Sequence, residues 1–135
     1  MATGTKVVPD THQDILTKTG FAHLATIGPA GEPQSHPVWY AWQDDELLIS
    51  TTKDRQKYRN LKGEKRVAAS ITDPDNPYRY VEIRGRVTTM EDDPNMEFID
   101  SLAQRYMNKD KYPYTQPGDQ RVIIHIRPEH AATMG

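Results

Sequence analysis

The stretch YRYVEIRGRVTT, residues 78–89, decides the fold. Val81, Ile83 and Val87 share one face, and Glu82, Arg84 and Arg86 share the other. This alternation is that of a strand with one side in a core and one in water. Gly85 falls on the apolar face, where a glycine marks a bulge or a bend. Immediately upstream, Asp73-Pro74-Asp75-Asn76-Pro77 carries strong turn chemistry. Arg66 to Asp73 then reads as the preceding strand, antiparallel to the first.

Further out the same logic continues. Phe21 to Ile27 reads as a strand, Gly28-Pro29-Ala30-Gly31 as a turn, and Pro33 to Trp42 as a second strand. Glu46 to Thr52 follows after Asp44-Asp45, so two hairpins in succession give an antiparallel meander. Arg121 to Arg127 is the last strand, with Val122, Ile124 and Ile126 on one side. Three helices are expected: Asp10 or Thr11 to about Lys18, Asp54 to Leu61 with Asp54 as N-cap, and one opening at Asp93-Pro94. In the last, Met96, Ile99, Leu102, Ala103 and Tyr106 keep helical spacing. The fold class is therefore mainly β (α+β): a six-stranded antiparallel barrel with short flanking helices. Closure removes the exposed edges of an open sheet; a sandwich is the structural alternative.

The chain has 135 residues, no cysteine and a formal net charge of −2. That length suits a single domain spanning 1–135, with residues 1–8 as a flexible N-terminus. Disulfides, thiolate metal sites and cysteine nucleophiles are excluded. No apolar run reaches the roughly 20 residues of a membrane helix, and the N-terminus lacks a signal-peptide core. A cytoplasmic protein without membrane or nucleic-acid partners is expected.

Charge is unevenly placed. Between Lys53 and Arg66 lie seven basic residues and two acidic ones, a local balance of +5. Such a patch on an otherwise acidic chain suits a small anionic ligand; a solvated helix face explains the count equally well. Position favours the ligand. The run Ser50-Thr51-Thr52-Lys53-Asp54-Arg55-Gln56-Lys57 leaves a strand and enters a helix, where unpaired N–H groups favour an anion. Arg55 and Lys57 are two apart and cannot share a helix face, so Arg55 belongs in the irregular lead-in if both grip one phosphate. Asn60 either bonds the ligand or closes the loop beneath it.

Other patterns are weaker. No Walker or dinucleotide glycine pattern occurs, and no nucleophile elbow. The five histidines show no metal spacing. Pro37 inside the second strand marks a bulge or a strand opened beside a ligand. Trp39, Tyr40, Trp42, Tyr78 and Tyr80 read as core or interface filling, with stacking on a planar ring as the sharper option. Tyr112 and Tyr114 lie in a long polar connection, Asn108 to Gln120, which is a surface loop or a lid.

Phe21-Ala22-His23-Leu24-Ala25-Thr26 with Gly31-Glu32-Pro33-Gln34-Ser35-His36-Pro37-Val38-Trp39 resembles the opening of the pyridoxamine 5′-phosphate oxidase-like split barrels. Lys57-Tyr58-Arg59-Asn60-Leu61, Arg66-Val67, the run from Asp73 to Tyr80 and Glu82-Ile83-Arg84-Gly85 are similar to the actinobacterial branch that uses a deazaflavin. The resemblance spans about Phe21 to Arg127. It implies a six-stranded split barrel and a homodimer with the cofactor in a groove at the interface. His36, Pro37 and Val38 would line the ring system, and Ser50, Thr51, Thr52 and Lys53 the ribityl chain. Arg55 and Lys57 would hold the phosphate, and Pro77, Tyr78, Arg79 and Tyr80 would reach in from the partner subunit. Coenzyme F-420 is the implied cofactor, with flavin mononucleotide (FMN) the alternative. The implied activity is hydride transfer to an unsaturated, small organic substrate. An FMN oxidoreductase and a non-catalytic flavin- or haem-binding protein are the other readings. No match to the C-terminal substrate pattern of true pyridoxamine phosphate oxidases occurs from Arg121 to Gly135.

Overall fold

A computed structural model describes residues 6–135; residues 1–5, the first part of the expected flexible N-terminus, lie outside the described residues. A 3-10 turn, Asp10–His12, leads into α1 (Gln13–Thr17). Then come β1 (Ala22–Ile27), β2 (Pro33–Val38), β3 (Ala41–Gln43), β4 (Glu46–Thr52) and α2 (Gln56–Gly63). The chain ends with β5 (Arg66–Asp73), β6 (Asn76–Asp92), α3 (Glu97–Met107) and β7 (Arg121–Met134). The seven strands form one antiparallel sheet in the order β2-β1-β5-β6-β7-β4-β3.

That order closes the barrel. β2 and β3 stand at opposite ends of the sheet, yet only Trp39 and Tyr40 separate them in the chain. Each residue spans at most about 3.6 Å, so the two ends must curl round until they meet. The seam is closed by covalent chain, with no β2–β3 ladder, and one continuous sheet rules out the sandwich. The strand count is seven, one more than the sequence predicts, because the expected strand 33–42 breaks here. Tyr40 causes the break. Its N–H donates to the Tyr106 hydroxyl at 3.2 Å, and its own hydroxyl donates to the carbonyls of Ile15 and Lys18 at 3.0 and 3.1 Å. The ring is fully buried, and burial pushes the phenol pKa up.

β6 is longer than predicted and supports the rest, pairing with β5 along its first half and with β7 along most of its length. Gly85 sits at an irregularity. Arg84 pairs with His130 but Gly85 with Pro128, so Glu129 bulges out of β7. A Cβ on Gly85 would lie 2.0 Å from the Arg127 carbonyl oxygen, which only glycine avoids. Pro128 has no N–H to donate and occupies the bulge at no cost to the ladder.

The barrel interior holds Leu24, Leu47, Ile49, Ile71, Ile83, Ile124 and Ile126, all closed to solvent, with Ile15 and Leu16 of α1 packed into the same core. α3 begins later than its sequence start signal. Met96 holds the capping position in left-handed backbone, and the Asp93 carboxylate, three residues earlier, accepts from the N–H groups of Phe98 and Ile99 at 3.2 and 3.4 Å. No helix among the described residues is long and apolar enough to cross a membrane.

Candidate functional site

A cavity of about 210 Å³ opens beside the seam. Pro37 and Val38 from the end of β2 and Trp39 from the crossing line one side. Ser50, Thr51 and Thr52 from the end of β4, Arg55, Lys57 and Arg121 line the other, and Phe21, Ile99, Leu102 and Tyr112 complete the wall. Ladder pairing fixes this layout. Thr52 pairs with Arg121, and the Lys53 N–H donates to the Gln120 carbonyl at 3.1 Å, so the head of β7 lies beside the tail of β4.

α2 spans Gln56–Gly63 rather than the predicted Asp54–Leu61. Arg55 occupies the capping position with extended backbone, φ −80° and ψ 145°, so it lies in the irregular lead-in as spacing required. Asp54 is not the cap; its carboxylate accepts from the Thr52 hydroxyl.

The basic segment separates into committed and uncommitted charges. Lys53 pairs with Asp92 at 3.0 Å, and Arg66 with Glu64 at 2.8 Å. Arg59 donates to the Asp54 carbonyl and to Gln56, and Lys65 to the α2 carbonyls of Leu61 and Lys62. Lys62 lies over the Tyr58 ring. Arg55 and Lys57 have no carboxylate within ion-pair distance among the described residues, and both line the cavity. Burial lowers the Lys57 pKa, and the neighbouring Arg55 charge lowers it further.

Arg121 is the third cation. It too has no carboxylate partner, and its Nε is the one buried side-chain polar atom without a hydrogen bond among the described residues. Nη1 reaches the Ser50 hydroxyl at 3.4 Å, and the guanidinium lies 4.9 Å from the centre of the Tyr112 ring. Tyr112 meets Trp39 edge-on at 5.9 Å, and Trp39 stacks on Tyr106 at 5.0 Å, 9° from parallel. The cavity thus has a cationic, hydroxyl-lined end and an apolar, aromatic end. Such an arrangement fits a planar ring bearing a phosphate. Pockets that enclose whole drug-sized ligands run to about 300–1,000 Å³, so a cavity of about 210 Å³ encloses only part of a flavin-sized ligand.

Seven sequence-nominated residues meet here: Pro37, Val38, Ser50, Thr51, Thr52, Arg55 and Lys57. Others go elsewhere. His36 is exposed and does not line the cavity, although it shares a strand face with Val38. Lys53 is held by Asp92. Asn60 is buried beneath the site; its amide donates to Thr26 and Gln34, both at 3.0 Å, and its oxygen accepts from Gln56 at 2.8 Å. Its bonds join α2 to β1 and β2, and it does not line this cavity. Pro77, Tyr78, Arg79 and Tyr80 do not line this cavity. Arg79 donates to Asp14, Asp73 and the Thr11 carbonyl, the two carboxylates raising its pKa, while Tyr78 is 82% exposed. Sequence reasoning missed Arg121, Phe21, Ile99 and Leu102. Only the β4–β7 register puts Arg121 beside Thr52, and no local pattern signals that.

The chain is a split antiparallel barrel with a cationic cleft along its seam. The chain belongs to the pyridoxamine 5′-phosphate oxidase family, whose model matches residues 8–135. A solved structure named F420 reductase is 42% identical, with a TM-score of 0.83 over 93% of this chain and 98% of that one. A conserved hypothetical protein of Mycobacterium tuberculosis is 25% identical, with a TM-score of 0.74 over 99% of this chain and 89% of that one. General Stress Protein 26 of Bacillus anthracis shares the fold at 18% identity, with a TM-score of 0.67 over 90% of this chain and 89% of that one. No curated protein matches the chain.

Proposed function

We propose that this protein is a coenzyme F-420-dependent reductase that transfers a hydride to an unsaturated organic substrate. One observation carries the reading: Arg55, Lys57 and Arg121, without carboxylate partners among the described residues, line one cavity whose other end is apolar and aromatic. Unpaired cations under mutual repulsion are stabilised by a bound phosphate, and charge-assisted bonds to it are the strong kind. The 42% identity to a structure named F420 reductase favours the deazaflavin over FMN.

When bound, the deazaflavin supplies the hydride; the protein supplies placement and electrostatics. Arg55, Lys57 and Arg121 hold the phosphate, with the hydroxyls of Ser50, Thr51 and Thr52 along the chain that joins it to the ring. Pro37, Val38 and Trp39 flank the ring and exclude water on that side. The cavity is too small for the whole cofactor, so a homodimer completes the groove, with the exposed Pro77 and Tyr78 of one protomer covering the other's ligand.

Titration with coenzyme F-420 and with FMN, followed by visible absorbance, tests the choice. Tight binding of F-420 and turnover of enones or quinones with the reduced cofactor are expected. Tight FMN binding with none of F-420 overturns the reading. Sedimentation velocity checks the dimer; a monomer with full cofactor affinity contradicts the shared groove.

A further inference from the structure

Arg121 is anchored by its backbone, and its guanidinium makes one long bond, from Nη1 to the Ser50 hydroxyl at 3.4 Å. Its carbonyl accepts from the Asp93 N–H at 2.9 Å, and it pairs with Thr52 in the ladder. Its Nε is buried and unpartnered. The Tyr112 ring, from the loop between α3 and β7, lies on the guanidinium. That ring is itself held: the Tyr112 N–H donates to Asp100 of α3 at 2.9 Å, and its edge meets Trp39. A guanidinium packed on an aromatic face loses rotational freedom while its N–H fork stays free in the plane, ready for a bidentate acceptor.

We propose that Tyr112 is a positioning residue: its ring aims the Arg121 guanidinium at a bound phosphate, and through its edge contact it couples phosphate occupancy to Trp39 at the aromatic end. The 108–120 connection is then part of the binding site. This proposal rests on the anion end of the function proposed above and is independent of which ring is bound. The ring, not the hydroxyl, performs the task, since no hydrogen bond of the Tyr112 hydroxyl enters the geometry.

Inorganic phosphate, titrated at constant ionic strength, is the probe. The chain has two tryptophans, so Trp42→Phe leaves Trp39 as the sole reporter. A saturable change in Trp39 emission is expected. Arg121→Gln should weaken phosphate binding at least tenfold. Tyr112→Phe should stay within twofold of its parent, whereas Tyr112→Leu should bind about 3- to 30-fold more weakly, the range of a cation–π contact, and lose the Trp39 response. If Trp42→Phe does not fold, calorimetry of phosphate binding to the Arg121 and Tyr112 variants in the otherwise unchanged chain decides. No phosphate binding by the unsubstituted chain overturns the proposal. So does a Leu variant that binds normally, a Phe variant as weak as Leu, or a Trp39 response that survives in the Leu variant. If the phosphate results hold while neither F-420 nor FMN binds, the proposed function falls and the role of Tyr112 stands.

Discussion

Asn60→Ala separates architecture from ligand contact at this site. Asn60 is 3% exposed; it ties α2 to β1 and β2 through Thr26 and Gln34 and accepts from Gln56 within α2. Gln34 and Gln56 reach solvent and can exchange their lost bonds for water, so each loss sits at the low end, about 0.5 kcal/mol. Thr26 is 2% exposed and has no such escape. Stranding its hydroxyl costs about 1–3 kcal/mol. The total is about 2–4 kcal/mol, read as a lower urea midpoint at constant slope, followed by far-UV circular dichroism. Cofactor affinity should fall by no more than about threefold, because Asn60 is not among the cavity-lining residues. A stability loss under about 1 kcal/mol together with a tenfold or larger loss of affinity would refute the assignment and make Asn60 a ligand contact.

Lys57→Ala should show the reverse pattern. Cofactor binding weakens by about 1.5–3 kcal/mol, the scale of one charge-assisted bond, while the urea midpoint holds, since removing a half-buried cation also relieves Arg55; unchanged affinity would make the segment a solvated face. Gly85→Ala should destabilise by about 1–3 kcal/mol, as overpacking does, because its Cβ would meet the Arg127 backbone oxygen; an unaltered melting temperature would show that the β7 bulge yields freely. Asp73 is held down to about 2, first by its hydrogen bond from Lys18, then by the Asp75 N–H and Arg79. Glu64 is held at about 2, first by Arg66. Both are depressed below their unfolded values, so their stabilisation is complete above about pH 4.5 and is lost as pH falls toward 2. In Asp73→Asn, urea midpoints across that window should fall less steeply than in the parent chain; equal slopes would show that Asp73 contributes nothing there.

Much of the barrel is legible in the sequence because period-two alternation is a local signal. Val81, Ile83 and Val87 place β6 directly, and Val122, Ile124 and Ile126 place β7. The ends are less legible. β7 continues to Met134 because Ala131, Ala132 and Thr133 pair with β6, although they carry no apolar alternation of their own. The break at Tyr40 is invisible locally, since it depends on Tyr106 and on the carbonyls of Ile15 and Lys18. Within the site, the strand-to-helix junction identifies Arg55 and Lys57, because helix starts have a known electrostatic character. The charge count there overstates the case: Lys53, Arg59, Lys62, Lys65 and Arg66 are occupied by neighbours, and the cation completing the set comes from a distant strand.

The two-residue link between the ends of the sheet has a mechanical consequence. Pro37, Val38 and Trp39 belong to one margin of the curled sheet, and Ser50, Thr51 and Thr52 to the strand next to the other margin. A ligand that touches both groups is a clasp across the line where the barrel is joined by chain alone. Its binding free energy then resists opening of the whole cylinder, adding about 2.7 kcal/mol at a hundredfold excess over Kd. Loss of the ligand weakens the molecule along that one line first.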